Sequence, residues 1–306
     1  MAGITGKDAV LTEYATRLEG LAAPKGRSLT QDALRRLFAN KAALVSLILL
    51  GAIVVMALVG RYFVHWSYDQ VDWGAMHKPP DVAKQHYFGT DQNGRDLLAR
   101  TLQGTQVSLL VAIVATLVSV VIGVIYGAVS GYFGGRIDAL MMRFVDIMYA
   151  LPYILFVIIL MVVFGRNFVL LFVGIGAIEW LTMARIVRGQ TLSLKEREFI
   201  EAARAGGAKP WTIIMRHIVP NLTGPVVIYA TLTVPEIIIT ESFLSYLGLG
   251  VQEPLTSLGT LISDGAPVAE VMPWLLVYPA AILITMLLCL SYVGDGLRDA
   301  LDPKDR

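Results

Sequence analysis

The stretch Val107–Val129, VSLLVAIVATLVSVVIGVIYGAV, runs for 23 residues without a charge. A bilayer's hydrocarbon core, about 30 Å thick, needs roughly 20 apolar residues in a helix, so this run reads as a membrane-crossing helix. Five more stretches qualify: Ala42–Gly60, about Phe144–Phe164, about Phe168–Ala184, about Leu222–Leu247 and Trp274–Val293. The Leu222–Leu247 stretch is interrupted in pattern by Pro225 and Pro235. Composition agrees. The hydrophobic fraction is 56% and the charged fraction 16%, against about 25% charged in an ordinary soluble domain. The expected fold class is an all-α polytopic membrane protein with six transmembrane helices.

The net charge of +1 excludes a strongly basic nucleic-acid binder and an acidic disordered tail. Cys289, the single cysteine, excludes an intramolecular disulfide and a cysteine-based metal site, and reads as a small inert hydrophobe in an apolar run. About forty mostly polar residues precede the first span, with no short apolar cleavable leader, so that span is expected to remain as an anchor.

Orientation follows from the connections. With the N-terminus inside, the inner segments hold 19 Lys and Arg and the outer ones 6. The positive-inside rule therefore places both termini in the cytoplasm. The same division splits the charge into +7 inside, −2 outside and −4 at membrane depth. The organisation expected is a cytoplasmic tail (1–41), a first span with an outer loop (42–106), a core (107–296) containing a cytoplasmic loop (185–221), and a short tail (297–306). Within the first tail, Asp32–Lys41 has the pattern of a short amphipathic basic helix on the inner leaflet, or of a simple positive flank.

Small residues at Gly123, Gly127, Gly131 and Gly135 stripe one face of the second span. They suit close packing within the chain, or a subunit interface; Gly134-Gly135 also fits an inner turn. In the outer loop, Asn93-Gly94 signals a turn with a helix starting just after it. Asp91-x-Asn93 fails as a calcium loop, since Asp96 and Leu102 stand where that loop needs Gly and Glu. His65, His77 and His86 have spacings that match no metal template.

The inner loop 185–221 carries the most information. Lys195–Arg204, KEREFIEAAR, is a strong helix former, with Phe199, Ile200, Ala203 and Gly207 expected on one side. Gly206-Gly207 ends that helix. Pro210 opens a second helix, expected to run to Val219 and to stop at Pro220. The result is a helix–turn–helix knob whose exposed apolar and small residues require a covering partner.

This loop resembles the cytoplasmic signature of ABC importer permeases: E-A-A, three residues, G, nine residues, I-x-L-P. Glu201-Ala202-Ala203, Gly207 and His217-Ile218-Val219-Pro220 match it, with His217 in place of Ile and Val219 in place of Leu. Further stretches resemble the peptide-importer permeases, specifically the C-type subunits of oligopeptide permeases. They are His86–Asp91 with Gly94–Leu97, Arg185–Ser193, Glu241–Gly250 and Gly294–Pro303. The resemblance implies a type I ABC importer permease fold, with a five-helix core preceded by an added N-terminal helix. It implies a bacterial inner-membrane location. It implies partners: a homologous B-type permease, two cytoplasmic ATPase subunits, an extracytoplasmic peptide-binding protein and a peptide substrate, with no nucleic acid. It makes Glu201, Ala202, Ala203, Gly207 and Pro220 the ATPase-coupling residues.

No P-loop is present: Gly6-Lys7 is followed by Asp8. Catalysis, cofactor and metal sites are therefore not expected here, ATP and magnesium belonging to the partners. Asp146, Glu179, Glu236 and Glu241 lie at membrane depth, where ionisable groups suggest function. Asp146 and Glu179 have Arg143 and Arg185 as candidate partners. Glu236 and Glu241 are candidates for the substrate path. The competing readings are an importer of the same family for dipeptides, glutathione, nickel chelates or opines, a self-contained secondary transporter or channel, and a membrane-embedded enzyme.

Overall fold

A computed structural model describes residues 29–164 and 168–301. The rest of the N-terminal tail (1–28), the short connection 165–167 and residues 302–306 of the last tail lie outside the described residues. Helices dominate: α1 (Leu29–Ala39), α2 (Lys41–Val59), α3 (Leu97–Phe133), α4 (Gly135–Ala150), α5 (Tyr153–Phe164) and α6 (Phe168–Leu194). Then come α7 (Glu198–Ala205), α8 (Pro210–Ile213), α9 (Val219–Asn221), α10 (Thr223–Tyr246), α11 (Leu258–Gly265) and α12 (Trp274–Leu301).

Among the described residues, four helices are long and apolar enough to cross a membrane: Lys41–Tyr62, Leu97–Phe133, Thr223–Tyr246 and Trp274–Leu301. A fifth is the bent pair α4–α5. The six expected spans thus become four or five on this measure, α6 being the one not among them. The expected third span is not a plain helix. It bends by 82° between Ala150 and Tyr153, because a residue preceding proline is pushed out of the helical region; Leu151, before Pro152, has ψ 129. The expected break in the fifth span is also corrected. Helix α10 is continuous, with Pro225 in its first turn and Pro235 inside it. The second, fourth and sixth spans extend well past their expected ends.

Helix α3 is the spine. Its small-residue face packs on α6: a Cβ on Gly127 would meet the Ala184 carbonyl at 2.4 Å, and one on Gly131 would meet Thr191 at 2.7 Å. Gly123 abuts Met183 and the Trp180 carbonyl in the same way. The stripe is intrachain packing at these three positions. Gly135 faces open space with φ 55 and belongs to the turn between α3 and α4. The main core joins Val111, Ala112 and Ala115 of α3 to Ile237, Ile238 and Leu244 of α10 and Met286 of α12.

The segment between α2 and α3 has a 3-10 turn at Gly60–Tyr62 and isolated β-bridges. Buried His86 organises it. Its Nδ1 lies 2.9 Å from Asp96, its Nε2 3.5 Å from Asp72, and its ring stacks on Trp66. Asp96 also caps α3, accepting from the Ala99 N–H at 2.8 Å. Asp91 forms the turn expected at Asn93-Gly94, accepting from the backbone N–H groups of Asn93 and Arg95 and pairing with the Arg95 and Arg100 guanidiniums. Trp274 of α12 donates to the Thr90 carbonyl, and Tyr278 stacks on Phe88. The segment between α2 and α3 is thereby clamped to the first turns of α12.

Candidate functional site

The knob expected between two spans forms, with shifted limits. Helix α6 continues to Leu194, so 185–194 extends the span and the hairpin begins at Lys195. Helix α7 carries Glu201-Ala202-Ala203 and ends in a two-bond cap. The Ala208 N–H donates to the Ala203 carbonyl at 3.1 Å and the Gly207 N–H to the Arg204 carbonyl at 3.0 Å. Gly207 has φ 78 and open space around it, so the backbone conformation and not crowding requires glycine there.

Pro210 starts α8 as expected. Residues Ile214–Ile218 then form a π-helical turn, and helical backbone continues through Pro220 to Asn221. Pro220 does not stop the helix. The preceding π-turn is the bulge that such a helix uses to absorb an extra residue, and the Leu222 N–H reaches back to the Ile218 carbonyl at 3.1 Å. The second arm therefore feeds almost directly into α10.

One face of the hairpin is anchored. Ile200, Ile213, Ile214 and Ile218 are buried with Val124 and Ala128 of α3, Met183 and Val187 of α6, and Leu222. Ala203 packs partly against the same cluster. The other face is open: Glu201, Ala202, Gly207 and Pro220 are exposed, together with Phe199, Trp211 and Met215. Phe199 is exposed where Ile200 is buried, so the two do not share the core-facing side expected of them. Consecutive helical residues are 100° apart, and only Ile200 reaches the core.

Below the hairpin is a brace that the sequence reading did not single out. The Nε and Nη2 of Arg188 on α6 donate to the two carboxylate oxygens of Asp138 on α4, and the Ser130 hydroxyl on α3 donates to the same carboxylate. The pair Arg185 and Arg188, just after the apolar run Phe168–Ala184, was the available signal. Arg185 makes the ion pair foreseen for it, 2.7 Å from Asp146.

The two candidates for the substrate path separate. Glu236 is exposed on α10. No ion pair joins Glu179 to Arg143 or Arg185 among the described residues. Glu241 is fully buried. It accepts from Ser108 of α3 at 3.1 Å and from Ser245 at 2.6 Å, while the Leu258 N–H of α11 donates to the Ser108 hydroxyl. It ties three helices together. Nothing in its spacing from the prolines distinguishes it from Glu236; of the two serines that meet it, Ser245 is one helical turn away and Ser108 is 133 residues away in sequence.

Residues 119–306 match the family described as "Binding-protein-dependent transport system inner membrane component", and residues 28–80 match "N-terminal TM domain of oligopeptide transport permease C". The chain is 55% identical over 296 residues to the oligopeptide transport system permease protein OppC of Escherichia coli (strain K12), covering 97% of each chain. It is 45% identical to the Bacillus subtilis (strain 168) OppC, covering 92% of each. The dipeptide transport system permease protein DppC of the same organism is 44% identical, covering 91% of this chain and 87% of that one. Among solved structures, the inward-facing MetNI methionine ABC transporter matches with TM-score 0.55 at 19% identity, covering 66% of this chain and 96% of that chain. That likeness establishes the fold.

Proposed function

The chain belongs to the family of binding-protein-dependent transport system inner membrane components, and on that premise we propose that it is the permease subunit of an ATP-driven oligopeptide importer. It is a multi-pass membrane protein and a non-catalytic subunit. In the proposed assembly a homologous B-type permease completes the pore. Two ATPase subunits bind ATP and magnesium, and an extracytoplasmic binding protein delivers peptide. The location is the bacterial cytoplasmic membrane with both termini inside, which the 19-to-6 partition of basic residues supports.

The observation that carries the reading is the form of the hairpin. Its exposed face presents Glu201 and Ala202, while its buried face is packed on α3 and α6 and its ends run into α6 and α10. An ATPase groove that grips α7 and moves as a rigid body displaces two membrane helices without loss in a slack linker. Ala202 permits close approach, Gly207 supplies the turn, and Glu201 meets a basic residue of the ATPase. Glu236 is the substrate-path candidate, offering a carboxylate to a peptide's amino terminus. Glu241 acts as an internal tie.

The test is purification of the chain in its assembly, followed by reconstitution and peptide uptake. An ATPase and a second permease co-purify, and ATP drives uptake of short peptides delivered by the binding protein. A chain recovered without any ATPase overturns the subunit assignment. A stably assembled Glu201→Lys complex with normal uptake overturns the role of α7.

A further inference from the structure

At the outer end of α2 there is a cavity of about 380 Å³. Arg61, Tyr62, His65 and Trp66 wall one side, and Gln103 and Gln106 of α3 the other. The apolar span here is Lys41–Tyr62, 22 residues. At 1.5 Å per residue this is about the thickness of a hydrocarbon core. Arg61 therefore stands at the boundary where hydrocarbon gives way to headgroups, a level at which Trp and Tyr rings are also favoured.

Among the described residues Arg61 has no carboxylate partner within ion-pair distance. It donates one hydrogen bond, to the Tyr62 hydroxyl at 2.6 Å, and its guanidinium lies 4.7 Å from the centre of that ring. The tyrosine holds the side chain in place without neutralising it. A positioned, unpaired guanidinium has donors left for a planar bidentate contact, which phosphate oxygens match. Below the cavity, towards the middle of the span, α2 exposes Val55, Met56, Leu58 and Val59. An anion held at Arg61 with hydrocarbon attached would meet exposed apolar side chains of α2, Leu58 among them, on the membrane side.

We propose that this cavity binds the phosphate headgroup of one phospholipid, with its acyl chains along α2. The proposal depends on α2 crossing the membrane and stands apart from the transport reading.

The whole transporter assembly, stripped of lipid in mild detergent, is titrated with phosphatidylglycerol while bound masses are followed by native mass spectrometry. The controls are diacylglycerol of the same chains and inorganic phosphate. One phospholipid should bind ahead of the rest, Arg61→Gln should weaken that event roughly tenfold, and Arg61→Lys should retain part of it. Arg61 is exposed, so these variants keep the fold. Equal binding by Arg61→Gln, or by diacylglycerol, overturns the proposal. Inorganic phosphate binding as tightly as the lipid overturns the lipid as the source of the phosphate.

Discussion

Arg188 on α6 and Asp138 on α4 form a two-point ion pair at the base of the hairpin, with Ser130 of α3 as a third contributor. Three helices that meet the α7–α9 hairpin or its supports thus share one carboxylate.

 Asp138→Asn should cost about 2 kcal/mol, the range for a hydrogen bond to a charged group. The complex should melt earlier and its uptake should fall more than its ATP hydrolysis. A variant with unchanged melting and unchanged coupling ratio would remove the brace from the account.

Gly207 tests the turn itself. Its φ of 78 costs a side-chain-bearing residue roughly 1–2 kcal/mol, and the site is open enough that nothing else opposes a methyl group. Gly207→Ala should insert and assemble normally while reducing peptide uptake, and Gly207→Val should reduce it further. Uptake at the wild-type rate in Gly207→Val would show that the turn conformation is dispensable.

Two glycines provide a matched comparison of packing. A Cβ at Gly127 meets the Ala184 carbonyl at 2.4 Å, whereas one at Gly189 meets nothing within 4 Å. Gly127→Ala should destabilise by about 1–3 kcal/mol because the α3–α6 contact must open. Gly189→Ala should be neutral or stabilise by up to about 1 kcal/mol through helix propensity. Thermal unfolding of the two variants in one detergent decides this, and similar shifts would refute the assigned contact.

Burial raises the carboxyl of Asp96 above its usual range, against the hydrogen bond from Ala99 and the contact with His86. A raised folded-state pKa means that the stabilising contribution is complete below the unfolded value. It is lost as pH rises through the folded value. Asp96→Asn keeps a good helix cap and removes the titration. The melting temperature of the wild type relative to Asp96→Asn should therefore fall as pH rises from about 4 towards neutrality. A difference that stays constant across that range would contradict the burial argument.

The helices were largely legible because each membrane-crossing run must satisfy its own backbone hydrogen bonds, which makes apolar length a local signal. The misplaced features have equally local causes. Pro220 and Pro235 read as breaks, yet the chain absorbs Pro220 after a π-turn and Pro235 within α10. Pro152, which received no attention, marks the bend. A proline removes one N–H wherever it stands; whether the helix bends, bulges or continues depends on what surrounds it.

By itself the sequence determined the membrane class, the positions of the apolar runs, the charge partition and the helix–glycine–helix hairpin, since composition, periodicity and turn chemistry act over a few neighbouring residues. Only the tertiary structure decided which of two similar glutamates is buried among serines, which face of the hairpin is left open, and that the glycine stripe of α3 is used up on α6. Those outcomes depend on contacts between residues tens to more than a hundred positions apart. Such contacts are set by how the helices pack together, and no short stretch of sequence records that.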